Sequence, residues 1–300
     1  MRRVCGFFIL AWALPAQEPT PVFRTGVAYV KVDVQVRDGN RVIGGLTKED
    51  FRVTDQGAPQ EIADFGRARE PVSLLLLLDV SGSMKKYLAQ VSRVANQALR
   101  KLAPEDRVAI MVFARTTYLH ADWSQDKEFI ASMVGPARNV EQAGAVTVLN
   151  PSLIEAAAFV AQEARGRRAI LVITDNQGLN YQSPDEAVIR ALHAGDVVLN
   201  AIVVGGTRPG ERKAPVNPDF SYPNVFRIAD ETGGEAVASN KADTFGEILE
   251  RLRTRYTIQY KAPAASKGEF REVAVTLAPE AARRYPRAVV RSRRGYYAGQ

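Results

Sequence analysis

Cysteine is all but absent: the single one, Cys5, sits among the first residues of the 300-residue chain. Histidine is nearly as scarce, with only His120 and His193. No run beyond the N-terminal residues approaches the roughly 20 apolar residues that a membrane-spanning helix needs. There is no Gly-rich turn after the first long apolar strand, since Gly205-Gly206 follows a late strand and opens no clear helix, so dinucleotide binding has no sequence basis.

The N-terminus itself begins Met1-Arg2-Arg3, continues through apolar residues from Val4 to Leu14 and reaches Ala16 before the polar Gln17-Glu18. That is the layout of a secretory signal peptide over residues 1–16, cleaved after Ala16. Cys5 is lost with it, so the exported chain is expected to hold no thiol and no disulfide, and its stability must come from packing. At 46% hydrophobic and 24% charged residues the remainder is ordinary globular material, enough for one large domain and a smaller one. The formal charge is +7, and much of the excess lies in Arg283, Arg284, Arg287, Arg291, Arg293 and Arg294, which either face an acidic surface or keep an edge strand soluble.

Periodicity divides the chain. Val30, Val32, Val34 and Val36 alternate with Tyr29, Lys31, Asp33 and Gln35, the period-two mark of a half-buried strand, and short strands follow around turns at Asp38-Gly39-Asn40 and Gln56-Gly57-Ala58-Pro59. Residues 23–66 therefore read as a small antiparallel unit. After Pro71 the pattern changes to long apolar strands separated by amphipathic helices, as in a parallel sheet covered on both faces. Expected strands cover 73–78, 107–113, 169–174 and 197–204, with helices over 84–102, 127–133, 151–163 and 184–194. Residues 254–300 return to alternation. The expected fold is thus α/β, a doubly wound, mostly parallel, Rossmann-like sheet over 70–253 inserted in a β-sandwich that the N- and C-terminal segments build together.

Asp79-Val80-Ser81-Gly82-Ser83 directly follows the apolar run from Val72 to Leu78, which places one carboxylate and two hydroxyls at the C-terminal mouth of a buried strand. A hard divalent ion such as Mg²⁺ takes oxygen ligands in an octahedron and keeps some of its waters, so a short loop of Asp and Ser oxygens suits it.

With the strand before it and the helix after it, Asp79-x-Ser81-x-Ser83 resembles the metal-ion-dependent adhesion site of von Willebrand factor type A (VWFA) domains. The resemblance implies two further ligands: Thr147, from Thr147-Val148-Leu149-Asn150, and Asp175, from Ile173-Thr174-Asp175. It implies Mg²⁺ or Mn²⁺ as the ion and an Asp or Glu of a protein partner in the last coordination position. Neutral hydroxyls leave such an ion electron-poor, so it keeps its attraction for that carboxylate. Val146 and Asn176 stand where the family usually has glycine, and Val146 bears on the path of the Thr147 loop. The segments 45–62 and 293–298 resemble a family of secreted bacterial VWFA-related proteins without assigned catalytic activity, which extends the likeness to nearly the whole exported chain.

Enzyme readings lack their parts. Ser81 has Asp79 and Ser83 where a hydrolase elbow needs glycines, and the position two residues after Asp79 is Ser81 where an aspartyl-phosphatase has a second Asp. Nucleic-acid binding would rest on the basic tail alone, and export argues against it. The expected function is an exported, non-catalytic binding module in the periplasm, on the cell surface or in the medium. The alternative is a structural or assembly protein of the envelope in which the metal only stabilises the fold.

Overall fold

The computed structural model describes residues 28–67, 70–140, 143–144, 147–164, 166–205 and 215–299; the expected signal peptide lies outside them, as do the first residues of the N-terminal unit. The chain opens with strands β1 (Tyr29–Asp38), β2 (Arg41–Val42), β3 (Phe51–Asp55), β4 (Ala58–Gln60) and β5 (Ile62–Arg67). In β1 the four alternating valines are all buried, as their spacing predicts.

The central region runs β6 (Val72–Asp79), α1 (Lys85–Leu99), β7 (Arg107–Phe113), β8 (Thr117–Ser124), α2 (Lys127–Ala137), α3 (Leu149–Ala161), β9 (Arg167–Thr174), β10 (Asn180–Tyr181), α4 (Asp185–Ala194), β11 (Val197–Val203), β12 (Phe220–Ser221), α5 (Val225–Glu231), β13 (Ala236–Ala238) and α6 (Asp243–Arg253). Six strands form one sheet in the order β13-β11-β9-β6-β7-β8, parallel throughout except for β8 at the edge. The leucine run in β6 explains why this sheet needs two covers. Leu74, Leu76 and Leu78 point to the layer that holds α1, α2 and α6, while Leu75 and Leu77 point to the layer of α3, α4 and α5. Each buried leucine contributes about 1.5–3 kcal/mol of transfer free energy, so both layers are needed to exclude water from the strand.

Beyond α6 come β14 (Tyr256–Lys261), β15 (Phe270–Leu277), α7 (Pro279–Arg284), β16 (Ala288–Arg291) and β17 (Gly295–Tyr297). They pair antiparallel with the N-terminal strands in two sheets, β16-β1-β14-β5 and β17-β15-β3-β4, and the valines of β1 share one apolar core with Phe51, Val53, Ile258, Tyr260, Val273 and Val275. The α/β region is inserted in this sandwich. Across the sandwich, the buried carboxylate of Asp55 accepts hydrogen bonds from Tyr260 Oη (2.8 Å), Tyr296 Oη (2.9 Å) and Arg271 Nε (2.8 Å). The same carboxylate pushes the Tyr260 hydroxyl pKa up, after burial itself, because a phenolate there would lose its bond and meet a like charge.

The C-terminal arginines are used internally. Arg291 and Arg294 pair with Asp230 on α5, Arg293 with Asp196, Arg287 with Asp38 and Arg284 with Asp50. Three of these five arginines thus fasten the sandwich to the α/β region, a use that the sequence reading did not contain.

Candidate functional site

Strand order places the site. From β6 the chain moves to β7 on one side, and β9 then adds on the other side of β6, so the loops leaving β6 and β9 part around the crevice where open α/β sheets bind ligands. Asp79 ends β6 with its side chain fully buried. Its Oδ1 accepts the Ser81 amide at 3.0 Å, and its Oδ2 accepts the Thr174 hydroxyl at 2.7 Å. A single 3-10 turn over Gly82–Met84 carries Ser83 into the start of α1. Ser81 Oγ and Ser83 Oγ lie 3.2 Å apart, and Ser83 Oγ donates to Asp175 Oδ2 at 2.6 Å. Four of the five expected residues therefore form one connected cluster.

The loop after β9 is shaped to hold Asp175. Asp175 Oδ1 accepts the Gln177 amide and Thr174 Oγ1 accepts the Asn176 amide, each at 3.0 Å. Asn176 has φ +56°, in the left-handed region that Gly adopts freely and Asn tolerates, which is how asparagine serves where the family usually has glycine. Two residues on, Gly178 packs so closely on the threonine loop that a Cβ there would lie 2.2 Å from the Thr147 carbonyl oxygen. Thr147 is half-buried, and among the described residues its hydroxyl makes no hydrogen bond. Behind it, the Asn150 amide donates to Asn180 Oδ1 at 2.9 Å, and Asn150 Nδ2 donates to Asp185 Oδ1 at 2.9 Å. Backbone contact thus brings Thr147 beside the loop of Asp175, while Val146 lies outside the described residues.

The electrostatics are unbalanced. Burial raises the Asp79 carboxyl from its ordinary 3.8 to about 6, the bonds from Ser81 and Thr174 pull it down, and repulsion from Asp175 adds to the rise. Among the described residues, neither Asp79 nor Asp175 has a basic partner within ion-pair distance. A buried carboxylate is ordinarily paired or bound to metal, so the residues present fit a hard divalent cation held by two carboxylates and three hydroxyls. Among the described residues there is no cluster of three or more His, Cys, Asp or Glu side chains. The two histidines serve elsewhere: His120 Nε2 lies 3.1 Å from the Met133 carbonyl, and buried His193 stacks on Phe270 of the sandwich.

Sequence reasoning missed Thr174 and Gly178. Thr174 has one possible signal, a hydroxyl residue in an otherwise apolar strand one position before the Asp. Gly178 has none, because its role is a contact with residue 147. The rim of the crevice also carries exposed Leu179 and Tyr181, the latter 5.3 Å from Phe220 between ring centroids.

Residues 74–178 match the family model of the von Willebrand factor type A domain. Strand order, covering helices and this match together make the α/β region a VWFA domain. No curated protein matches the chain. Among solved structures it is similar to the conserved hypothetical protein BatB from Bacteroides thetaiotaomicron (17% identity over 60% of this chain and 97% of that one, TM-score 0.45). It is also similar to a von Willebrand factor type A protein from Catenulispora acidiphila (13% identity, 85% and 71%, TM-score 0.47). A third is proximal thread matrix protein 1 from the mussel byssus with a zinc-occupied MIDAS motif (12% identity, 63% and 48%, TM-score 0.47). Neighbours this distant carry no information on what the present chain binds.

Proposed function

We propose that the protein is an exported, non-catalytic binding module that holds Mg²⁺ or Mn²⁺ with Asp79, Ser81, Ser83, Thr147 and Asp175 and uses the ion to capture an Asp or Glu of a protein partner. The working division is a leader over 1–16, a VWFA domain over 70–253, and flanking units over 23–66 and 254–300. The observation that carries the reading is the fully buried, unpaired Asp79 joined through Ser81 and Ser83 to Asp175. When bound, the ion would supply the missing positive charge and a coordination position for an incoming carboxylate. Ser83 and Asp175 orient each other, Thr174 holds Asp79, and the half-buried Thr147, whose loop packs on Gly178, would supply the third hydroxyl. Exposed Leu179 and Tyr181 give a partner apolar contact beside that position, and exposed Lys85 and Lys86 in the first turn of α1, with exposed Arg115 after β7, favour an acidic one.

Calorimetric titration of the protein and its Asp79→Ala variant with Mg²⁺ and Mn²⁺ tests the reading. Binding by the wild type alone supports it. No binding at millimolar ion by either protein overturns it, and partner capture that survives a chelator would move the function to the sandwich.

A further inference from the structure

Helix α3, which has Thr147 at its entrance, starts without a cap of its own. Its N-cap residue is Val148, whose side chain holds no hydrogen-bond acceptor, so the amides at this end of the helix need partners from elsewhere in the fold. The Val148 amide itself donates to the Ala114 carbonyl at 2.9 Å, and Pro151 has no N–H, which narrows the need to Leu149 and Asn150. The Asn150 amide is met by Asn180 Oδ1 at 2.9 Å, from a residue 30 positions further along the chain. Asn180 is fully buried in β10, where it pairs with Ser221 of β12. A second tie runs the other way: Asn150 Nδ2 donates to the Ser183 carbonyl at 2.8 Å and to Asp185 Oδ1 at 2.9 Å, and Asp185 Oδ2 accepts the Asn224 amide at 3.2 Å.

The cap therefore comes from the segment that leaves Asp175 and passes through Gly178. Gly178 and Asn180 act on the Thr147 loop in opposite senses. The contact of Gly178 with the Thr147 carbonyl limits how closely the two loops approach, whereas the bond from the Asn150 amide to Asn180 keeps them from separating. What Asn180 contributes is its oxygen, since its Nδ2 has no partner among the described residues. A side-chain bond that sets the spacing of two loops also sets the spacing of whatever ligands those loops carry.

Resting on the reading that Thr147 and Asp175 hold one ion, we propose that Asn180 is a positioning residue of the cation site: by capping α3 from the Asp175 segment it fixes the Thr147 hydroxyl relative to Asp175. The test is calorimetric titration of the full exported chain with Mg²⁺, beside melting curves, for wild type, Asn180→Ala, Thr147→Ala and the double variant. Asn180→Ala is expected to weaken Mg²⁺ binding about 10-fold to 100-fold. The double variant should bind no more weakly than Thr147→Ala, because Asn180 acts through Thr147. Val148→Ser, which gives α3 a cap of its own, should restore the Tm of Asn180→Ala and leave its affinity weakened, a split that a merely structural role would not produce. If Asn180→Ala alone does not fold, the Val148→Ser background carries the measurement. Wild-type affinity in folded Asn180→Ala, a further loss in the double variant, or recovery of affinity together with Tm on Val148→Ser would each overturn the role of Asn180 while wild-type binding stands. Absence of Mg²⁺ binding by the wild type would overturn the site reading and this role with it.

Discussion

Ser83 Oγ donates to Asp175 Oδ2 across 2.6 Å, joining two loops whose residues stand 92 apart in the chain. Ser83 is exposed, so its removal leaves the core intact and acts on the site alone. Ser83→Ala is expected to weaken Mg²⁺ and Mn²⁺ binding at least tenfold, about 1.4 kcal/mol, with the metal-free Tm nearly unchanged. Calorimetric titration beside melting curves reads both quantities, and an unaltered affinity would remove Ser83 from the ligand set.

Asp79 links the site to pH. Its folded pKa of about 6 lies above the ordinary 3.8, so the stability associated with its protonated form is complete below about pH 4 and is lost as pH rises through 6. Above that window the metal-free protein carries a constant penalty of roughly 3 kcal/mol. Asp79→Asn should therefore melt several degrees higher than the metal-free wild type at pH 7.5, show a flatter profile between pH 4 and 6.5, and gain nothing from Mg²⁺. A variant that melts lower than wild type at pH 7.5 would mean that the carboxylate charge is compensated within the chain.

Two glycines of the site should behave oppositely. A Cβ at Gly178 meets the Thr147 carbonyl at 2.2 Å, whereas a Cβ at Gly82 meets nothing within 4 Å. Gly178→Ala is expected to cost about 1–3 kcal/mol and to weaken metal binding by displacing the Thr147 loop. Gly82→Ala should be neutral or slightly stabilising. Equal tolerance at both positions, measured by urea unfolding, would show that the 147 and 178 loops do not depend on each other.

Asp55 holds the sandwich and not the site. Removing its carboxylate leaves Tyr260, Tyr296 and Arg271 facing a void, with the guanidinium left only its pairing to the more exposed carboxylate of Glu269 at 3.1 Å. Asp55→Ala should destabilise by about 3–5 kcal/mol, and Asp55→Asn by less, since one acceptor oxygen remains. Divalent-ion affinity of the folded variant should match wild type; a parallel loss of affinity would show that sandwich and site are coupled.

The sequence by itself determined most of the elements and pointed to the candidate ligands. Alternation placed β1, apolar runs placed β6, β7, β9 and β11, and the end of the β6 run pointed to Asp79, Ser81 and Ser83, because a strand's inward face and a loop's oxygen donors are local properties of the chain; Thr147 and Asp175 came from the family resemblance. The short pieces β10, β12, β17 and α7 escaped, since two to six residues carry too little periodicity. Only the tertiary structure decided that Thr174 holds Asp79, that Gly178 supports Thr147, that the C-terminal arginines bind Asp230 and Asp196, and that Arg167 is buried at the junction of VWFA domain and sandwich with two of its nitrogens unpartnered. Each of these depends on distances between segments far apart in sequence, and such distances exist only once packing has excluded water and fixed which charges remain unpaired.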